Sequence, residues 1–467
     1  MAERFWSLGA TAAAGLLAEG EISPLDVLDS VEERVREVNP VVNALPTLCF
    51  DRARAKLHEG RPGGPLAGLP VPIKDSYAVA GVRTTYGSRV FENNVPDFSD
   101  YAVEAIEAAG GVVFAKSNTP EFEAGANTFN EVFGATRNPW NTSRSAAGSS
   151  GGAAVAVATG MAFFAQGSDF ACSLRYPAAF CGIVGLRPSP GLIPQGPSPL
   201  PLQTLSVIGP LARNVADAGF ALSAMCRFDE RDPLSRPLAA HRFAIAAREP
   251  RPCRCAFSPD LGIAVVDPEI AEIVARAVAR LESAGATIIE NCPDLEEADR
   301  AFRPLRAFQF AAMRAALLDG PEEALLKPEV VWNIREGLKL TAVELAQAER
   351  RRAAVRANLV GFLQEHEFLL SPTAPVAPYP VEQRYVDRIG ESRMETYLDW
   401  LSLGYAVTVT GCPAISIPCG RTREGLPVGL QIIGRPYCEV SLLAFAAWCE
   451  SVLAACLTTP IDPAVIA

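Results

Sequence analysis

Two serine-bearing segments and one lysine carry most of the chemistry that this sequence can do. The first segment is Gly148-Ser149-Ser150-Gly151-Gly152, inside SRSAAGSSGGAAVAVATG, residues 143–160. Its glycines let the backbone take positive φ and approach another group closely. The loop runs into an Ala/Val stretch that reads as a helix, so free N–H groups collect beside the two hydroxyls. Such a loop is a catalytic loop, a linker or a phosphate cradle. It lacks the GK[ST] ending of a P-loop, which argues against a nucleotide. The second segment is QGSDFACSLRYPAAFCGIVGLRPSPG, residues 166–191, where Ser173 lies between Asp169 and Arg175. On spacing alone it reads equally well as a capped turn.

The supply of bases narrows the choice. The histidines are His58, His241 and His366, and none lies in or beside these segments. Triads assemble in space, yet none of the three has a context that suggests one. Lysine is the next natural base for a serine nucleophile. Lys74 stands in LPVPIKDS, an apolar stretch with no other charge before Asp75. At its ordinary pKa of about 10.4 a lysine is already protonated and is a poor base. Burial disfavours the ammonium form and lowers that value. The competing reading is an ion pair between Lys74 and Asp75 at a strand end.

These groups need elements to bring them together. Ser23 and Pro24 give an N-cap and a first helical residue before LDVLDSVEERVREV, and helical composition continues from Asn43 to Glu59. VPIKDS reads as a strand with a turn after it, and VEAIEAAGG-VVFAKSN as helix, glycine stop and strand. The same unit is expected at GIAVV-DPEIAEIVARAVARLESAG-ATIIE, with Asp267 and Pro268 opening the helix and Gly285 closing it. Residues 226–259 read as a surface connector, residues 295–363 as a helical layer. FLLSPTAP, PAISIPCG and PVGLQIIG read as strands returning to one sheet. Alternating strands and helices imply an α/β sheet covered on both faces. One domain over residues 1–467 is expected: a helical segment 1–60, a catalytic core 61–225, the connector 226–259 and the rest of the sheet and helical layer 260–467.

Composition sets the outer limits. Of 467 residues, 49% are hydrophobic and 20% charged, an ordinary globular balance. The net charge of −11 and the lack of a long basic run argue against a nucleic-acid partner. Many of the twelve cysteines, such as Cys181 and Cys419, stand in apolar runs, as reduced thiols of a cytoplasmic protein do. Cys253 and Cys255 lack metal-ligand spacing and a nearby histidine, so no metal site is expected. The first residues, MAERFWSLGATAAAGLLAEG, lack a positive leader and read as an amphipathic helix rather than a signal peptide. Ala153–Ala165 is shorter than the roughly 20 residues of a spanning helix, so no membrane partner is expected.

Lys74, the GSSGG loop and Ser173 together resemble the amidase-signature family. TTYGSRVFENN, GGVVFAKSNTPEF, FGATRNPWN, YPAAFCGIVGLRPSPG, SPTAP and GCPAISIPCG…GLPVGLQIIG look like family segments in family order. The resemblance covers roughly residues 8–455. It implies an α/β amidase-signature fold with a large mixed central sheet covered by helices on both faces. It implies a small-molecule amide substrate, no cofactor and a homodimer. Ser173 matches the family nucleophile, Ser149 the bridging serine that follows a cis peptide bond, and Lys74 the base. The N–H groups of Phe170, Ala171, Cys172 and Ser173 match the oxyanion hole. Asp169, Arg175 and Ser150 match supporting residues.

One departure stands out. The family usually has two glycines before the nucleophile, where this chain has Ala171 and Cys172. If those positions needed positive φ, each side chain would cost roughly 1–2 kcal/mol. Two rivals follow from the resemblance: the amidase subunit of a glutamine-dependent tRNA amidotransferase, and a binding protein on an impaired scaffold. Amidotransferase subunits usually carry the paired glycines and a glutamine where Tyr176 stands, so both departures imply a free-standing amidase. Phe122, Phe129, Phe133, Phe308 and Phe310 either line an apolar pocket or fill core. Arg303, Arg306 and Arg314 either meet a substrate carboxylate or form solvated helix faces.

Overall fold

The computed structural model describes residues 4–60, 62–453 and 459–465; Cys456 lies outside them. The N-terminal helices are Ala10–Glu19, Pro24–Val42 and Phe50–His58. Ser23 caps the second as expected, accepting from the N–H of Leu25 at 3.1 Å. Between the second and third, a two-residue strand, β1 (Thr47–Leu48), interrupts the expected helical run.

β1 joins β2 (Pro70–Lys74) and β3 (Val112–Ser117) in a small sheet of order β1-β3-β2. This sheet is separate from the large one, so the strand that ends in Lys74 does not belong to the central sheet. The large sheet is built from β4 (Phe164–Asp169), β5 (Val184–Arg187), β6 (Val207–Ala212), β7 (Arg254–Phe257), β8 (Thr287–Glu290), β9 (Phe368–Pro372), β10 (Ala414–Arg421) and β11 (Pro427–Gly434). Its order is β8-β7-β9-β11-β10-β5-β6-β4. The β7 strand runs parallel to β8 and β9, and the other neighbours are antiparallel. The mixed sheet and the return of the three tail strands match expectation.

Two expectations fail locally. GIAVV forms no strand, because Leu261 and Gly262 both take positive φ and turn the chain. The strand of that unit is β7, which lies inside the stretch read as a connector. The helix after it, Pro268–Ser283, starts as expected, with the Asp267 carboxylate accepting from the N–H of Glu269 at 2.8 Å.

Helix Gly151–Ala158 is buried along its whole length. Its Ala and Val side chains let it pass between the small sheet and the edge of the large one. The helical layer is Ala298–Arg314, Pro328–Lys339 and Ala342–Glu365. It packs with Ser402–Thr410 over a second apolar core around Phe302, Trp400 and Tyr405. No helix among the described residues is long and apolar enough to cross a membrane.

Candidate active site

Lys74 ends β2, and strand alternation sends Lys74 and Asp75 to opposite faces. Asp75 pairs with Lys116 at 3.3 Å and accepts from Thr85. The proposed Lys74–Asp75 ion pair is therefore not what forms. The Lys74 side chain is fully buried and turns the other way. Its Nζ donates to Ser149 Oγ at 2.7 Å and to Ser168 Oγ at 2.9 Å, and it meets Glu123 Oε1 at 2.6 Å. Its own N–H donates to Gln166 Oε1 at 2.9 Å, which ties the small sheet to β4. Burial pushes the Lys74 amine below the ordinary lysine range, with Glu123 opposing.

The GSSGG loop supplies the middle hydroxyl. The Gly148–Ser149 peptide is cis, and Ala147 takes a φ of 56°. Ser150 Oγ donates to the carbonyl of Ser168 at 3.2 Å, and the Ser150 N–H donates to the carbonyl of Ser173 at 3.3 Å. Ser150 thus fastens the loop both to β4 and to the turn that carries Ser173.

That turn follows β4 and leads into helix Arg175–Cys181. Asp169 and Arg175 form a two-pronged buried pair, with Nε and Nη2 each 2.9 Å from a carboxylate oxygen. Arg175 also donates to the carbonyl of Ala171 at 2.7 Å and to Gln431 at 2.6 Å. Asp169 accepts from the N–H of Leu174 at 3.2 Å. A second guanidinium, Arg187, donates to Asp169 as well. The turn between residues 169 and 175 is thereby clamped at both ends. Among the described residues, the N–H groups of Phe170, Ala171, Cys172 and Ser173 donate to no protein acceptor. Neither Ala171 nor Cys172 takes positive φ, so the strain expected of two missing glycines does not arise. Burial pushes the Cys172 thiol well above its ordinary range, which favours its protonated form.

Ser173 keeps 7% exposure, whereas Ser149 keeps 1%. Lys74 and Ser149 are hydrogen-bonded, but the hydroxyls of Ser149 and Ser173 are not. Catalytic hydrogen bonds often tighten only when substrate binds.

A cavity of about 480 Å³ opens beside Phe170 and Glu123. Tyr86, Phe91, Phe98, Phe122 and Phe310 give it apolar walls. Phe122 and Phe310 were among the residues singled out from sequence. Phe129 instead lies under Lys327 and Arg384, Phe133 under Arg83, and Phe308 is exposed. Arg314 lines the cavity, with its guanidinium 4.6 Å from the Phe122 ring centre. Arg306 is buried over Phe170 and Phe310 and donates to Tyr397 Oη at 2.9 Å. Arg303 is taken up by Asp299 and Asp399.

Sequence reasoning missed Glu123, Ser168, Gln166 and Arg187. Ser168 and Gln166 alternate along β4, in a segment already singled out for Ser173, so their common face was readable once the strand was known. Glu123 gave no signal, because a carboxylate in PEFEAG looks like any solvated one.

The Amidase family profile matches residues 26–443. An acylamidase of Rhodococcus erythropolis is 34% identical, with 98% of each chain covered. One chain of the glutamyl-tRNA(Gln) amidotransferase of Moorella thermoacetica is 33% identical, over 92% of this chain and 93% of that one. Among solved structures, a bacterial aryl acylamidase of the amidase-signature family superposes with a TM-score of 0.89 at 25% identity, covering 96% of each chain. A 6-aminohexanoate cyclic dimer hydrolase superposes with a TM-score of 0.86 at 29% identity, over 96% of this chain and 97% of that one. With the fold, the profile and the full-length relatives in agreement, the chain belongs to the amidase-signature family.

Proposed function

We propose that this amide hydrolase cleaves a small carboxylic amide through an acyl-enzyme on Ser173, with protons passing through Ser149 to and from Lys74. The observation that carries the reading is the buried 2.7 Å contact between Lys74 Nζ and Ser149 Oγ, directly beside the clamped turn of Ser173. A neutral Lys74 accepts the proton of Ser149 as Ser149 accepts that of Ser173. Ser173 Oγ attacks the amide carbonyl, and the developing oxyanion is met by N–H groups of residues 170–173. One such donor is typically worth about 3–4 kcal/mol to a transition state. The proton returns through Ser149 to the leaving amine, and water then releases the acid by the same relay. Asp169, Arg175 and Ser150 hold the two loops in place.

The aromatic cavity supports a substrate with an apolar or aryl group, a size that fits the usual range of about 300–1,000 Å³ for small-molecule sites. Tyr176, where amidotransferase subunits usually carry glutamine, is buried against Trp400 and hydrogen-bonds its carbonyl at 3.3 Å. It is part of the core there, which favours a free-standing amidase.

The test is labelling by a fluorophosphonate serine probe together with hydrolysis of a panel of aryl and aliphatic amides that includes glutamine. Wild type is expected to be labelled and to turn over an apolar amide. Ser173→Ala should lose both, and Lys74→Ala should lose turnover by several orders of magnitude. Full turnover without the Ser173 hydroxyl would overturn the reading.

A further inference from the structure

Nothing in the relay described above needs a carboxylate, yet one stands at its base. Glu123 Oε1 lies 2.6 Å from Lys74 Nζ and accepts from Ser168 Oγ at 2.5 Å. It is brought there by two successive left-handed residues, Phe122 at φ 44° and Glu123 at φ 64°. L-residues rarely adopt that region, and such outliers persist where surrounding structure enforces them. The Glu123 side chain keeps 20% exposure while Lys74 keeps none, and Glu123 lines the aromatic cavity. The carboxylate therefore faces the lysine on one side and the cavity on the other.

Lys74 Nζ meets three acceptors, Ser149 Oγ, Ser168 Oγ and Glu123 Oε1, the arrangement of an ammonium, which can accept nothing. Resting on the Ser173–Ser149–Lys74 reading, we propose that Glu123 is a positioning residue that shares one proton with Lys74 and sets when Lys74 becomes a base. In the resting site the pair is an ammonium and a carboxylate. Substrate filling the cavity covers the exposed part of Glu123 and removes its water, which disfavours the charged pair. One proton then crosses from Lys74 Nζ to Glu123, leaving an amine and a carboxylic acid, with net charge unchanged. The amine takes the Ser173 proton through Ser149 and later returns it to the leaving amine. When product leaves and water returns, Glu123 gives its proton back to Lys74.

Other charged and titratable groups face the pair from each element around it. Asp169 and Cys172 approach Lys74 from β4 and the turn after it. Arg314 faces Glu123 from helix Ala298–Arg314. Tyr77 and Asp100 lie beside Glu123 from the segment after β2 and from the start of helix Tyr101–Ala108. Burial raises the cost of charge on Glu123, but Lys74 and Ser168 outweigh it and hold its carboxyl below the usual range. Of these neighbours, only Glu123 touches Lys74 Nζ with a charge.

The experiment is the rate of Ser173 labelling by a fluorophosphonate probe as a function of pH, for wild type, Glu123→Gln and Glu123→Asp. In wild type the one-proton pair is the competent form, so the acidic limb marks a second proton, on the Glu123 carboxylate. In Glu123→Gln nothing takes the Lys74 proton and the limb marks the Lys74 ammonium itself, so it should move up by roughly 1 pH unit or more, toward the lysine range. A rate lowered equally at every pH, with the limb in place, would mean a merely structural role and would overturn the proposal. If Glu123→Gln fails to fold by circular dichroism, Glu123→Asp decides. Its carboxylate is drawn back from Lys74 and takes the proton less readily, so its limb should lie above that of wild type, and a coincident limb overturns the proposal. Wild type that is neither labelled nor hydrolytic would bring down the Ser173 reading and this one with it. Labelled wild type with unmoved limbs would bring down this one alone.

Discussion

Asp169 is one carboxylate serving two buried guanidinium groups, Arg175 and Arg187, and both arginines are fully buried. Burial alone would lift its carboxyl, but Arg175 first and Arg187 second hold it below the usual carboxylate range. Asp169→Asn leaves two cations without their counter-charge, a change that typically costs about 3–5 kcal/mol. Urea denaturation at neutral pH should show that loss. The sign of its pH dependence follows from a folded value below the unfolded one. Wild type holds this stability fully above the unfolded pKa of about 3.9 and loses it as pH falls through the lower folded value. The gap between wild type and Asp169→Asn should therefore close in acid. At this scale the sequence was partly legible. Lys74, Ser149 and Ser173 were singled out as a set, and the fold brings Lys74 to Ser149 and Ser150 to the turn of Ser173; Asp169 and Arg175 were placed beside that turn. The contacts of Arg187 and Glu123 were not legible, because they join chain segments that meet only in the folded protein.

At the scale of elements, the turn of Ser173 is shaped by helix Ser402–Thr410, which packs against it. A Cβ at Gly404 would stand 2.5 Å from the carbonyl oxygen of Ala171 and 2.5 Å from Cys172 Cβ. Glycine is required there by close approach, not by its own φ. Gly404→Ala should cost about 1–3 kcal/mol through overpacking. It should also slow Ser173 labelling by up to about a hundredfold, the scale of an ångström-sized displacement of a reacting group. Gly361→Ala is the control. Gly361 is exposed in helix Ala342–Glu365, and nothing lies within 4 Å of an added Cβ. That variant should gain up to ~1 kcal/mol and leave labelling unchanged. Thermal melts and labelling rates on the same samples separate the two effects. The elements that sequence reasoning placed well, such as Pro24–Val42 and Pro268–Ser283, start with caps and prolines whose chemistry is local. Those it misplaced depend on partners. Arg254–Phe257 is a short strand among Arg and Pro, ordered by pairing with β8 and β9. GIAVV has strand composition, yet the turn at Leu261 and Gly262 takes it out of the sheet.

At the scale of the whole molecule, buried carboxyls pull stability in opposite directions with pH. Burial pushes Asp100 up to about 7, with the N–H of Ala78 and Lys116 opposing. Burial likewise pushes Glu450 up to about 7, with the N–H of Val215 opposing. A carboxyl raised in the fold binds its proton more tightly folded than unfolded. Its contribution is greatest when it is protonated and is lost as pH rises from about 4 through the folded value near 7. Asp169, Glu329 and Asp399 are lowered despite burial, because arginines or hydrogen bonds outweigh it. Their contributions run the other way and disappear in acid. Both sets contribute together in a mildly acidic window, while Lys74, Lys116 and Lys327, held low by burial, add stability as pH rises. The net charge of −11 adds self-repulsion on the alkaline side, so a fall in stability there does not by itself identify the groups responsible. The double variant Asp100→Asn, Glu450→Gln does. It keeps acceptors for the N–H groups of Ala78 and Val215 while removing both titrations. Urea midpoints measured from about pH 5 to 8 should decline for wild type and less steeply for the double variant, in which Glu121 and Glu439, also raised by burial, still titrate. Parallel decline in the two proteins would assign the slope to those remaining groups and to overall charge instead.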